Sequence, residues 1–340
     1  MSQAVKIALA YGFGQLLMGP LSDKFGWYKV LMLSMFLAAV FALFALVHQS
    51  YSVLILSRLG PGLFASAVVA SSLALIGQLF SDQKRGTIIA RFMMAVITAQ
   101  LSGSIIMGYV SLHFEVMFLV LAFLPLVGVM LLFPFRNEAI LNERTQGNLL
   151  DHLGGILKKT HLPFIALLAS AEGILVFGPM PYISVKLADF STDSTIVGYA
   201  IACFAIGGLL FSITSPFFIR SLKQAQFTVG ILCLAVVWFL IAYSTSYWYL
   251  FCAMLLVGLF FYILHNMLQA NASNCYPPAR ASAMSLFMFS FFMGQGIGPI
   301  IFGSFVYLRG INESFVIFAF LSLAVGILSW HQRYKISDRF

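Results

Sequence analysis

Glu172 is the side chain in this 340-residue sequence with most scope for chemistry. It is the one charged residue in the apolar run Phe164–Val185. At 1.5 Å per helical residue it stands about 12 Å from the start of that run, near the midplane of a bilayer. An ionised carboxylate at that depth is costly, so such residues face a cavity or a partner. Placed there, Glu172 could take up and release a proton or bind a cationic group; alternatively it stays protonated and bonds a neighbouring helix. Gly173, Gly178, Pro179 and Pro181 follow it, which predicts a helix broken or kinked beside the acid.

Arg58 stands about 8 Å into the run Val53–Phe80. It could orient a proton site or an anionic ligand, or snorkel to the membrane surface. Thr98, Gln100, Ser102, His265, Asn266, Gln269 and Gln295 are uncharged polar residues inside apolar runs, where such groups stitch helices together or line a cavity. His265 is also a side chain of a type that can take up or give up a proton. Gly19 and Gly26 are expected to flank a tight turn containing Asp23, which can cap a helix or pair with a cation, and Lys29 follows. Gly103, Gly108, Gly298 and Gly303 would let helices approach and bend, and Pro299 removes a backbone donor. Metal-ligand spacings, a nucleophile–base pair and a phosphate-binding loop are all missing, and Gly12-x-Gly14 follows no strand. No enzyme, metal or cofactor is expected. Cys203, Cys233, Cys252 and Cys275 read as small core residues rather than disulfides.

These side chains must be held by helices in lipid. The chain is 61% hydrophobic and 9% charged, too few charges to cover a water-facing surface. With about 20 apolar residues needed per crossing, the sequence reads as eleven spans: Val5–Leu21, Val30–His48, Val53–Phe80, Ile88–Leu112, Val116–Phe135, Phe164–Val185, Thr195–Ile219, Phe227–Tyr243, Tyr249–Asn271, Ala283–Leu308 and Phe315–Trp330. Met1–Lys6 leads directly into the first of these, so no cleavable signal peptide is expected. Of nineteen Lys and Arg residues, fifteen fall on one side of this plan, three on the other (Lys6, Lys186, Arg309) and Arg58 within a span. The basic side should be cytoplasmic and carry the C-terminus, so the net charge of +8 reads as a topology signal and not a nucleic-acid footprint.

The sequence also repeats itself. Arg85–Gly108 and Arg280–Gly303 align over 24 positions with eight identities: Arg85/Arg280, Phe92/Phe287, Met93/Met288, Gln100/Gln295, Gly103/Gly298, Ile105/Ile300, Ile106/Ile301 and Gly108/Gly303. Gly62-Leu63-Phe64 recurs as Gly258-Leu259-Phe260, and Gly14-x-Leu16-Leu17 as Gly207-x-Leu209-Leu210. A period near 195 is too long for a solenoid and marks two like halves. The expected organisation is an N-terminal bundle over 1–135, a polar central loop over 136–160 and a C-terminal bundle over 161–340. Phe164–Val185 has no partner in the first half, so a twelve-helix plan is expected to have lost its first helix, leaving helices 2–6 and 7–12.

Gly19-Pro20-Leu21-Ser22-Asp23-Lys24-Phe25-Gly26 resembles the loop motif between helices two and three of the major facilitator superfamily, in the form of its twelve-helix drug:proton antiporter branch. Arg58-x-x-x-Gly62 is similar to its helix-four motif, and Gly298-Pro299-Ile300-Ile301-Phe302-Gly303 to the antiporter glycine–proline motif. His265-Asn266-Met267-Leu268-Gln269 with Pro278-Ala279-Arg280 is similar to helix ten of exporters. Ser104 stands where antiporters carry proline, and Trp27 and Tyr28 precede Lys29 where basic residues are usual. The resemblance implies an all-α membrane protein with the two-bundle fold of that superfamily. It implies a secondary transporter for small organic or drug-like molecules, working by proton-coupled efflux and alternating access. Glu172 and Arg58 would serve coupling or substrate, Gln100, His265, Asn266, Gln269 and Gln295 the cavity, and Gly19, Asp23, Gly26 and Lys29 a gating loop. Gly103, Gly108, Gly298, Pro299 and Gly303 would bend helices. The proton gradient would replace any cofactor, the chain would be monomeric, and the site a bacterial inner membrane, as in multidrug resistance by antiporters. Open alternatives are uptake or facilitated transport of a sugar-like metabolite, and an inert truncated remnant or membrane partner protein.

Overall fold

Backbone in hydrocarbon must satisfy its own hydrogen bonds, which a helix does within one segment. The computed structural model describes residues 3–47, 50–79, 82–110, 113–134, 161–190, 194–275 and 280–331, and all regular structure among them is helical. In chain order the helices are α1 (Gln3–Phe25), α2 (Trp27–Val47), α3 (Tyr51–Leu79), α4 (Asp82–Val110), α5 (Phe114–Leu132), α6 (Leu162–Phe177), α7 (Ile183–Ala188), α8 (Ser194–Leu222), α9 (Gln226–Ala242), α10 (Tyr247–Asn274), α11 (Arg280–Arg309) and α12 (Ile311–His331). The expected central loop over 136–160 lies outside the described residues.

Among the described residues eight stretches are long and apolar enough to cross a membrane, one of them running unbroken through α8 and α9 from Thr195 to Ala242. The expected count of eleven is not reached by that measure. Neither α1 nor the whole of α4 qualifies, and α4 opens with the polar run Asp82-Gln83-Lys84-Arg85. A second difference concerns the turn expected between Gly19 and Gly26. α1 continues through Gly19 to Phe25, and the turn is Gly26 alone, at φ +88°. The Gly26 amide donates to Ser22 O at 3.0 Å and its carbonyl accepts from Val30 N at 3.3 Å, so one glycine closes both helices.

The chain packs as two compact units built from interleaved segments: Met1–Ile89, His113–Ala166 and Ala272–Gly296 in the first, and Ala90–Leu112, Leu167–Asn271 and Ile297–Phe340 in the second. In the first unit, Ser22 and Ser71 share a buried hydrogen bond of 2.9 Å, joining α1 to α3, and Tyr28 donates to Leu132 O at 3.2 Å, joining α2 to α5. The N-terminal half of α11 belongs here, with Tyr11 and Phe292 rings 4.4 Å apart. In the second unit, the fully buried Trp238 of α9 packs on Phe315 of α12, and Thr228 and Ser329 bond at 2.9 Å.

The repeat is visible in how helices touch. A Cβ on Gly14 of α1 would meet Leu63 O and Ser66 of α3; a Cβ on Gly207 of α8 would meet Leu255 O and Leu259 N of α10. The matched glycines thus bring matched helices into backbone contact, once in each unit. Lipid supplies no hydrophobic force between helices, so close approach at small residues takes its place. Gly103, by contrast, has nothing within 4 Å of where a Cβ would stand. Gly207→Ala should therefore lower thermal stability in detergent by about 1–3 kcal/mol through overpacking. Gly103→Ala should leave the midpoint unchanged or raise it slightly. Melting curves of the two purified variants check this, and equal losses would contradict it.

Candidate functional site

α6 carries Glu172 and ends five residues later. Gly178 N still donates to Ile174 O at 2.9 Å, but Pro179 has no N–H to extend the ladder. The chain turns through a short 3₁₀ segment, Met180–Tyr182, and resumes as α7. The break beside the acid is the one the glycines and prolines predict.

Glu172 is fully buried inside the second unit, away from lipid. Its Oε1 lies 2.9 Å from Nδ1 of His265 on α10. Its Oε2 has no hydrogen-bond partner among the described residues. The pair can be written as carboxylate and imidazolium or as carboxylic acid and neutral imidazole; either arrangement places one shared proton on the same two atoms. Phe261, one turn before His265, lies 5.1 Å from the imidazole, ring centre to ring centre, at 31°. Phe261 also packs against Phe177 and Phe204, so aromatic rings cover the imidazole on that side.

Three contacts fix the break. The backbones of α6 and α11 cross at Gly178 and Gly298: a Cβ on Gly298 would stand 2.9 Å from Ile174 Cα and 3.1 Å from Gly178 Cα. The Tyr182 hydroxyl donates to Pro299 O at 3.2 Å, and the space where Gly303 lacks a side chain is where that hydroxyl sits. Lys186 of α7, although buried, donates from Nζ to Asn312 Oδ1 at 2.7 Å. Gly298 and Gly303 are thus seats for the broken helix. α11 stays helical through Pro299 from Arg280 to Arg309.

The other candidate residues belong to both units. Arg58 belongs to the first unit, where its guanidinium lies 4.4 Å over the Phe118 ring and Nη2 is 4.0 Å from Met117 Sδ. Asn266 and Gln269 are half-buried on α10, Lys29 is exposed at the start of α2, and Gln295 Oε1 is buried without a partner among the described residues. The side chains of Asp23 and Gln100, and the surroundings of Gly19 and Gly108, lie outside the described residues. Sequence reasoning named Glu172 and His265 separately but had no means of pairing residues 93 positions apart. It missed Tyr182, Lys186 and Asn312 as fasteners, because a polar residue near a span end carries no sign of its partner.

The packing gives a stability expectation. Gly298→Val should destabilise the fold by about 1–3 kcal/mol, since backbone and not a mobile side chain blocks its Cβ. Tyr182→Phe removes one hydrogen bond and should cost about 1 kcal/mol. Thermal midpoints of the two variants in detergent check the order, and a larger loss for Tyr182→Phe would contradict it.

The profile of the Major Facilitator Superfamily matches residues 5–218 and 164–335. A bicyclomycin resistance protein homolog of Haemophilus influenzae is 31% identical over 130 residues, which are 37% of this chain and 33% of that protein. The match thus spans about a third of that relative's length. Among solved structures, the human organic anion transporter MFSD10 (TETRAN) superposes with a TM-score of 0.73 at 18% identity, covering 96% of this chain and 82% of that one. The Escherichia coli fucose:proton symporter FucP superposes with a TM-score of 0.69 at 14% identity, covering 97% and 90%. Helices of membrane-spanning length, packed in the fold of known transporters and matched by the family profile along nearly the whole chain, lead to one conclusion: the protein belongs to the major facilitator superfamily and is an integral membrane transporter, not an enzyme.

Proposed function

We propose that the chain is a proton-coupled exporter of small organic, partly hydrophobic molecules, in which Glu172 carries the coupling proton. The observation that supports this most is a fully buried carboxyl with one oxygen on His265 and the other unpartnered, set beside a broken helix. A carboxyl that keeps its charge costs free energy in a dry interior, and one that is neutral costs little. Gaining or losing a proton there changes which arrangement of the surrounding helices is favoured. That differential is what couples a gradient to alternating access. The proton gradient supplies the driving force without a cofactor. Efflux in place of uptake draws on the antiporter-like motifs and the resistance-protein relative. In this reading the chain works as a monomer in a bacterial inner membrane, with its basic side and C-terminus cytoplasmic. Arg58, packed on Phe118, serves the first unit as a structural cation.

Everted vesicles containing the chain, supplied with ethidium as a probe cation, test the reading. Respiration-driven ethidium accumulation should appear with the chain and collapse with an uncoupler. Glu172→Gln should lower the gradient-driven rate by at least about tenfold, or 1.4 kcal/mol of barrier. Equal rates for Glu172→Gln with and without the gradient would take the acid out of the mechanism. Gradient-driven loss of a sugar-like solute from the same vesicles would instead favour uptake, a reading in keeping with the fold shared with the fucose:proton symporter FucP. No gradient-dependent flux of any probe would favour the inert alternative.

A further inference from the structure

We propose that His265 is the proton relay of Glu172, the imidazole standing between the buried carboxyl and water, so that transported molecules never touch the acid. The inference rests on the reading that Glu172 carries the coupling proton. Its starting point is an asymmetry of exposure across one hydrogen bond: the Glu172 side chain is 0% exposed and that of His265 13%. Water that reaches the pair reaches the imidazole. The opposite side of α6 is closed by backbone, with Ile174 and Gly178 against Gly298. Other titratable side chains on the elements around the pair include Tyr182 and Lys186 beyond the break, Tyr199 and Cys203 on α8, and Cys252 and Tyr262 on α10; among the described residues none of them bonds the carboxyl, whose one polar partner is His265. The adjoining stretch of α11 brings no titratable group, its residues from Gly296 to Gly303 being apolar, glycine or proline.

An imidazole suits this place because it can accept a proton on one nitrogen and give one from the other without turning. A proton taken from water onto Nε2 makes an imidazolium. Its Nδ1 proton then passes to Oε1, leaving a neutral ring protonated at Nε2 and a neutral carboxylic acid. The new O–H donates back to Nδ1 across the same 2.9 Å contact. Charge and protons balance: one proton enters and one carboxylate is neutralised. Release runs the steps in reverse, to whichever water reaches the ring in the other conformation. Phe261, its ring tilted 31° to the imidazole with centroids 5.1 Å apart, limits the turning of the imidazole on that side.

The test needs no transported substrate. Purified protein in lipid nanodiscs is taken through a rapid fall in pH while the infrared carbonyl band of protonated carboxylic acid is followed, the Glu172 contribution being the part lost in Glu172→Gln. His265→Asn keeps a group able to bond Oε1 but has a single nitrogen and cannot relay. It should reach the same final band amplitude, which also reports an intact site, at a rate lower by on the order of tenfold. Free imidazole in the buffer should speed it again. A wild-type rate in His265→Asn, or in His265→Gln should the first variant not fold, would overturn the relay while leaving Glu172 as proton carrier. A carbonyl band unaffected by Glu172→Gln would instead remove Glu172 from the coupling reading itself.

Discussion

A carboxyl buried among apolar helices has to be compensated by the protein, because neither lipid nor water is there to do it. Among the described residues the compensation is a single contact, Glu172 Oε1 to His265 Nδ1, between α6 and α10. Much of the second unit is arranged so that this contact can form. α6 must reach the depth of the acid and then stop, which Gly178-Pro179 achieves. α11 must come close enough to hold the end of α6, which requires a glycine at 298. The outer part of the broken helix must not drift, and Tyr182 on Pro299 and Lys186 on Asn312 hold it from two helices. The half-satisfied state of the carboxyl, with Oε2 unpartnered among the described residues, is the kind of local cost that functional sites retain.

Glycine serves two different purposes here, and the structure separates them. Gly26 supplies a positive φ between α1 and α2. Gly14 and Gly207 remove side chains where helices cross, and Gly298 does the same beneath the broken helix. Gly103 does neither in this arrangement. That contrast bears on the internal repeat. Gly103 and Gly298 are matched in sequence, yet of the two only Gly298 meets a neighbouring backbone, that of Ile174 and Gly178 at the broken helix.

The membrane setting explains why serines and threonines recur at helix contacts. Ser22 with Ser71 and Thr228 with Ser329 each satisfy two hydroxyls at once, the first in one unit and the second in the other. In water such pairs would add little; inside apolar packing an unpaired hydroxyl would cost more. Large aromatic residues fill what the small ones leave, as with Trp238 against Phe315 and Phe302 between Phe315 and Phe318.

Composition and periodicity pointed to the helical class and the membrane environment and led to the expectation of a doubled organisation, since those properties are written locally: apolar length, polar breaks and a repeat can be counted along the chain. The resemblance of a few motifs carried the family, and the run of Gly and Pro after Glu172 foretold the broken helix. What the order of residues left open was every relation across distance. Whether Gly19 sat in a turn or a helix depended on Gly26 closing both helices, which local glycine content could not rank. Arg58 gave no sign that Phe118 would lie beneath it. Nothing along the 93 positions that separate them joins Glu172 to His265; three-dimensional packing alone brought them within a hydrogen bond, because helix-to-helix register is set by which side chains fit, a property of pairs of surfaces and of no single segment.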